Sequence, residues 1–230
     1  LDPVTNTAFT DQPNKLRIAK DFYSSLFTPD LVEPAVTEEL LSSIPVELRL
    51  DTTDRSLLTS AIDFDDILEI LKASPRKSSP GSDGLPFEIL NLVVRFPPLR
   101  EILLKVFNDA LDQALFPDSW NDSIMTLLKK KGDSKNMGNY RPLSLANCDY
   151  KCFTKILNQR MMIVSPKLIN AHQIGFIPGK YIAENGLRCQ LLMEDPELRW
   201  TLARQQGTTS TLDRVIGLLL DQEKAYDRYC

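Results

Sequence analysis

An α+β fold is what this sequence predicts, on three observations. Apolar residues recur at helical spacing through much of residues 16–115. Two extended segments then flank a polar, lysine-rich tip within 121–146. Near the end, the apolar run 215–220 has the length and composition of a buried strand.

The elements follow in order. Residues 16–27 place Leu16, Ala19, Phe22, Tyr23, Leu26 and Phe27 at helical spacing. Pro29, Pro34 and Pro45 break 28–58, which reads as a connector with at most a short helix over 37–43. Residues 1–60 are expected to add little to a core and to be partly irregular. Asp63 is placed to cap a helix whose apolar face is Ile67, Ile70 and Leu71 and which stops at Ser74-Pro75. Pro80-Gly81 and Asp83-Gly84 are tandem turn dipeptides. A short helix over 86–94 starts with proline, and a longer one over 99–115 carries Leu103, Val106, Phe107, Ala110, Leu111 and Ala114 on one face. Residues 123–128 and 140–146 read as the strands of a hairpin. Helical period returns over 149–164. Residues 173–181 are a Gly/Pro-punctuated loop. Residues 184–206 look helical with an interruption at Pro196, 207–211 form a joint, and the closing strand runs into Asp221.

Composition excludes some classes. Hydrophobic residues make up 43% and charged residues 25%, the balance of a globular protein. No apolar run approaches the ~20 residues that span a bilayer. The first residues lack the charged and apolar regions of a secretory signal. The expectation is an intracellular, non-secreted chain with no membrane association. Because the chain opens on Leu1, a processed product or fragment is expected. Cys148 and Cys152 stand four apart, with no second pair to complete a zinc site, and read as small buried hydrophobes.

The net charge of −4 hides an uneven distribution. Residues 1–70 carry 5 basic and 14 acidic groups, whereas 124–160 carry 8 basic and 2 acidic. Such a local basic stretch suits a polyanion, phosphate above all, and equally suits a solvated face balanced by the acidic region. Within it, Lys129, Lys130 and Lys131 at the hairpin tip, with Arg141 on the return strand, can close on a triphosphate, or can simply keep a hairpin tip soluble. Asp221 ends an apolar strand and opens onto a turn, where a carboxylate suits a hard cation. Taken alone, such an aspartate is more often a helix cap. Tyr226 alone is an ordinary aromatic, and the single histidine, His172, is assigned no chemistry.

Six blocks in order resemble the reverse transcriptases of non-LTR (LINE-type) retrotransposons. Phe22-Tyr23-Ser24-Ser25-Leu26-Phe27-Thr28 resembles the family's lead-in to the polymerase. Lys77-Ser78-Ser79-Pro80-Gly81-Ser82-Asp83-Gly84 is similar to its K-S-P-G-x-D-G block. Pro117 and Trp120, with Leu128-Lys129-Lys130-Lys131-Gly132-Asp133, resemble P-x-x-W followed by L-x-K-K-G-D. Asn139-Tyr140-Arg141-Pro142-Leu143-Ser144-Leu145, with Tyr150-Lys151, is similar to N-Y-R-P-I-S-L…Y-K. Leu168-Ile169 and Gln173-x-Gly175-Phe176-x-x-Gly179-Lys180 resemble L-I…Q-x-G-F-x-x-G-R. Leu220-Asp221-x-Glu223-Lys224-Ala225-Tyr226-Asp227 is similar to L-D-x-E-K-A-F/Y-D. The departures are an extra serine at 78 or 79, Lys180 in place of arginine, and a longer, more polar 195–213.

The resemblance implies an incomplete right-hand polymerase: a connector over 1–60, fingers over 61–213, and the first palm strand over 214–230. It implies an RNA template, a DNA primer, deoxynucleoside triphosphates and two Mg²⁺ ions. Asp221 would be the first metal-binding aspartate and Tyr226 the steric gate under the incoming sugar. Backbone N–H groups of Gln222, Glu223 and Ala225 would lie along the triphosphate. Arg141 and one of Lys129, Lys130 and Lys131 would hold its outer phosphates. Gly81, Asp83 and Gly84 would shape the fingers near the template, and Gln173 and Gly175 would sit near template or primer.

The family's aromatic-Ala-Asp-Asp element does not occur in the 230 residues. The expectation is therefore a fragment, inactive alone, whose remaining palm and thumb lie beyond Cys230; the resemblance also implies an endonuclease domain in the parent polyprotein. The competing readings are a non-catalytic nucleic-acid-binding remnant or degenerate pseudogene product, and an intron-encoded maturase. The lead-in and the Gln173 block favour the retrotransposon type over the last.

Overall fold

A computed structural model describes all residues except 1, 3, 4, 6, 30, 171 and 208–230. The described residues are a mixture of helices and one two-stranded antiparallel sheet, the α+β class that the sequence predicts. They fall into two compact units: residues 1–163 form the first, and the second begins at Val164.

In the first unit, α1 (Gln12–Leu26) is capped by Asp11, whose carboxylate accepts the Asn14 N–H at 3.1 Å. It buries Ile18 and Tyr23. Two further helices, α2 (Pro34–Ser42) and α3 (Thr52–Thr59), occupy the stretch expected to be mostly connector. Pro34 does not break α2 but starts it, because a proline lacks an N–H where the first helical turn has no use for one. For α3 the start is set by Asp51, which accepts the Asp54 N–H at 2.8 Å. Its sequence, TTDRSLLT, is too polar to show a periodic face. α2 buries nothing, and the main cluster of buried apolar residues includes no residue before Ile62.

The core begins at Ile62. On α4 (Phe64–Ala73), Asp63 and Asp66 form a capping box, each carboxylate accepting the other's backbone N–H, and Ile67, Ile70 and Leu71 point inward. They meet Phe87 and Leu90 of α5 (Phe87–Val93), Phe107 and Ala110 of α6 (Pro97–Gln113), Trp120, and Cys148, Cys152, Phe153 and Ile156. The last four lie on α7 (Cys148–Leu168). Burial pushes the Cys152 thiol up to about 12 and raises that of Cys148, as befits side chains that serve as small hydrophobes. Arg160, also on α7, is buried and donates to the carbonyls of Ser60 and Ala61 and to Asp66 at 3.0 Å. It closes the start of α4 onto α7.

The sheet is a hairpin of β1 (Ile124–Lys129) and β2 (Tyr140–Leu145), with Ile124 opposite Leu145 and Lys129 opposite Tyr140. In the second unit, α8 (Ala183–Gln205) runs through Pro196 without the expected interruption. A proline removes one ladder hydrogen bond, and a long helix can carry across that loss with a bend. The joint from 208 and the strand over 214–221 lie outside the described residues.

Candidate nucleotide and template site

The hairpin register decides which cations can act together. Leu128 pairs with Arg141, and the ladder continues with the Lys130 N–H donated to the Asn139 carbonyl at 2.7 Å. Side chains alternate along a strand while cross-strand partners share a face. Lys130 therefore lies on the face of Leu128 and Arg141, while Lys129 lies on the opposite face with Tyr140. Lys131 is in the tip, beyond that ladder bond. Of the three lysines, the strand geometry brings one, Lys130, to the Arg141 side, at the diagonal separation of roughly 7–8 Å that two long side chains can bridge through one polyphosphate. Lys129, Lys130, Lys131 and Arg141 make no ion pair among the described residues.

The tip is rigid in its own hydrogen bonds. Tyr140 donates its hydroxyl to the Ser134 carbonyl at 2.9 Å, and Asn139 its amide to the Asp133 carbonyl at 2.9 Å. Asp133 and Asn136 each accept a backbone N–H two residues on, from Lys135 and Gly138. Gly132 holds a φ of 118°, open to glycine alone. In the Asn139-Tyr140-Arg141 run, the first two residues thus brace the loop and leave the guanidinium exposed.

The turn carrying Gly81, Asp83 and Gly84 is clamped to the base of the hairpin by Asn147. This side chain is buried. Its Oδ1 accepts the Asp83 N–H at 3.3 Å and the Ser82 hydroxyl at 3.4 Å, and its amide donates to the Ser119 carbonyl at 3.1 Å. Lys151 adds a bond to the Ser79 carbonyl at 2.9 Å. Gly81 is pressed against this clamp: a Cβ would stand 2.1 Å from Asn147 Oδ1 and 2.4 Å from its backbone nitrogen. Gly84 is glycine for another reason, a φ of 70° that closes the turn with a hydrogen bond to the Gly81 carbonyl. Asp83 accepts the Leu85 N–H at 2.9 Å. Trp120 fixes the neighbouring turn, donating its indole N–H to Asp149 at 2.9 Å and packing its ring on Phe107, Tyr150 and Phe153.

Asn147 was not singled out by sequence reasoning. The available signal was its position as an N-cap: its carbonyl accepts the Lys151 N–H at the start of α7. In the second unit, the Gln173 N–H is donated to the Asn170 carbonyl at 2.9 Å. A Cβ on Gly175 would meet only the Gln173 side chain, at 3.8 Å, so the chain's own packing does not require glycine there. His172 lies 3.2 Å from Arg188.

Asp221, Gln222, Glu223, Ala225 and Tyr226 lie outside the described residues. Among the described residues, no group of three or more His, Cys, Asp or Glu side chains could hold a metal ion, and no helix is long and apolar enough to cross a membrane.

Comparison with known proteins follows the same segments. Residues 128–228 match the family model described as reverse transcriptase (RNA-dependent DNA polymerase). The chain is 31% identical over 210 residues to the transposon TX1 uncharacterized 149 kDa protein of Xenopus laevis, covering 91% of this chain and 15% of that protein. It is 27% identical over 152 residues to the probable RNA-directed DNA polymerase from transposon BS of Drosophila melanogaster, covering 64% of this chain and 16% of that one. To the RNA-directed DNA polymerase from mobile element jockey, also of Drosophila melanogaster, it is 28% identical over 126 residues, covering 53% and 13%. The chain thus spans about one-seventh of the length of these relatives. The family match and the ordered blocks agree: residues 128–228 belong to the reverse transcriptase family, and the chain is similar to proteins of transposons and mobile elements.

Proposed function

We propose that this chain supplies the fingers and the first palm strand of an RNA-directed DNA polymerase that copies retrotransposon RNA into DNA. The fingers take in residues 61–213 and the palm strand 214–230, with 1–60 as the connector. The observation that carries the reading is the shared face of Lys130 and Arg141 on a braced hairpin, within a segment that matches the reverse transcriptase family.

Each residue then has a task. Lys130 gives a point charge and Arg141 a two-pronged donor to the outer phosphates of a deoxynucleoside triphosphate. Backbone N–H groups of Gln222, Glu223 and Ala225 line the same triphosphate, and the ring of Tyr226 excludes a 2′-hydroxyl. Gly81, Asp83 and Gly84 shape the surface under the RNA template, and Gln173 and Gly175 meet template or primer. Asp221 is the carboxylate we assign to the metal, and magnesium held there would supply charge stabilisation to the transferring phosphoryl group. Triphosphates and template RNA are intracellular, so the protein acts inside the cell.

The test is primer extension on poly(rA)/oligo(dT) with Mg²⁺, using the longest polypeptide that the reading frame encodes. Incorporation of dTTP supports the proposal. A well-folded preparation that incorporates nothing over a range of primer and metal concentrations refutes it.

A further inference from the structure

Asn147 stands just before α7, in the position of a helix cap, yet its side chain does not cap that helix. A capping asparagine accepts a backbone N–H from the first turn that follows it. Here the Tyr150 N–H, which such a side chain would take, is donated to Asp149 at 2.8 Å. The Asn147 side chain turns instead to two distant segments. Its Oδ1 receives the Asp83 N–H and the Ser82 hydroxyl, and its amide reaches the Ser119 carbonyl.

These partners lie at both ends of the hairpin. Ser119 comes just ahead of β1, and Asn147 itself just past the end of β2. One side chain therefore ties both strand bases to the turn at 81–84. That turn has no slack of its own. The N–H groups of Asp83, Gly84 and Leu85 are donated in order to Asn147, to the Gly81 carbonyl and to the Asp83 carboxylate. Gly81 lies against the Asn147 backbone too closely for a Cβ. A tilt of the turn against the hairpin must break an Asn147 bond. At 2% exposure no water stands ready to replace it. The task needs an acceptor and a donor on one short uncharged side chain, which asparagine supplies.

We propose that Asn147 is a positioning residue for template-directed nucleotide selection: it fixes the spacing between the 81–84 turn and the hairpin face of Lys130 and Arg141. The proposal rests on the polymerase reading, which gives the turn to the template and the hairpin face to the triphosphate. A nucleotide held by its phosphates pairs only with a base presented at the right distance. In a well-aligned reaction a misplacement of about 1 Å costs on the order of a hundredfold. A matched nucleotide gains most from the alignment, whereas a mismatched one is out of line already. Loosening the spacing therefore lowers discrimination between them. Buried as it is, Asn147 acts through the turn and the hairpin.

The experiment compares Asn147→Ala and Asn147→Asp with Ile67→Val, in the longest polypeptide that the reading frame encodes. Asn147→Asp keeps the acceptor for Asp83 and loses the donor to Ser119. Ile67→Val loosens the core, where Ile67 is fully buried, and spares all three Asn147 bonds. Primer extension on poly(rA)/oligo(dT) with Mg²⁺ reads KM and kcat for dTTP and for mismatched dCTP. In Asn147→Ala the KM for dTTP should rise about tenfold and the preference for dTTP over dCTP should fall about tenfold, with a smaller change in kcat. Asn147→Asp should move both in the same direction, and it carries the test if Asn147→Ala does not fold. Ile67→Val should leave the preference unchanged although it too lowers thermal stability. An unchanged preference in the folded, active Asn147 variants, or an equal loss in Ile67→Val, overturns the proposal and leaves the polymerase reading standing. A second measurement needs no catalysis. Spin labels on cysteines at Leu85 and Lys129, both exposed, with Cys189 and Cys230 replaced by serine, read the distance from turn to hairpin. A narrow distribution in the wild type should broaden in the Asn147 variants, and an unchanged distribution overturns the proposal. Broadening in a protein whose wild type incorporates no nucleotide refutes the polymerase reading, and the selection role falls with it.

Discussion

Gly81 and Asn147 touch across 65 residues of chain, so closely that no side chain fits between them. A Cβ on Gly81 would stand 2.1 Å from the Asn147 side-chain oxygen, 2.4 Å from its backbone nitrogen and 2.6 Å from the Ala146 carbonyl carbon. Two of these three atoms are backbone and cannot swing away. Gly81→Ala should therefore destabilise the fold by about 1–3 kcal/mol, measured by urea unfolding. Asn147→Ala removes the side-chain oxygen but leaves both backbone obstacles, so it should not rescue Gly81→Ala.

Ala114 ends α6 in the left-handed region, with φ 54° and ψ 32°. That conformation is unfavourable for a residue with a Cβ and ordinary for glycine at a helix end. Ala114→Gly should raise stability by about 0.5–1 kcal/mol, again read from urea unfolding. A loss of stability would show that the strain is offset by packing of the Ala114 methyl group.

The buried thiols give a pH dependence whose sign can be worked out. Burial raises Cys152 to about 12 from an ordinary value of 9.0. Between those values the unfolded chain ionises this thiol and the folded chain does not, so the folded state binds more protons and stability falls as pH rises. The contribution is fully present below pH 9.0 and is lost as pH rises toward 12. Cys152→Ala should flatten the alkaline side of the stability profile. At pH 8, iodoacetamide should label exposed Cys189 and leave Cys148 and Cys152 unmodified until the chain unfolds, as peptide mass mapping would show.

The hairpin register makes a selective prediction for nucleotide use. Lys130→Gln and Arg141→Gln should each raise the KM for dTTP about tenfold or more, the effect of removing a charge-assisted hydrogen bond. Lys129→Gln should change it little, because Lys129 faces the other side with Tyr140. Equal effects at positions 129 and 130 would contradict the shared face.

Which features could be seen in the sequence depended on how local their causes are. The helix capped by Asp63 was legible because cap, apolar face and stop all lie within a dozen residues. The hairpin was legible from its two extended segments. Its functional asymmetry was not, because three identical lysines differ only in register, and register is set by pairing with residues 139–141. Helix α3 escaped because its stability comes from a cap and not from a periodic face. Pro34 misled because proline both breaks helices and begins them. Asn147 was invisible as a clamp because its partners lie at Ser82, Asp83 and Ser119. The roles expected of Asp221 and Tyr226 lie outside the described residues and rest on the resemblance and the family match.

Asp221→Asn tests the central claim most directly. It would be introduced into the longest polypeptide the reading frame encodes and assayed by primer extension on poly(rA)/oligo(dT) with Mg²⁺. The account predicts a loss of at least about a thousandfold in the rate of incorporation, with template binding and thermal stability unchanged. Incorporation near the wild-type rate would contradict it.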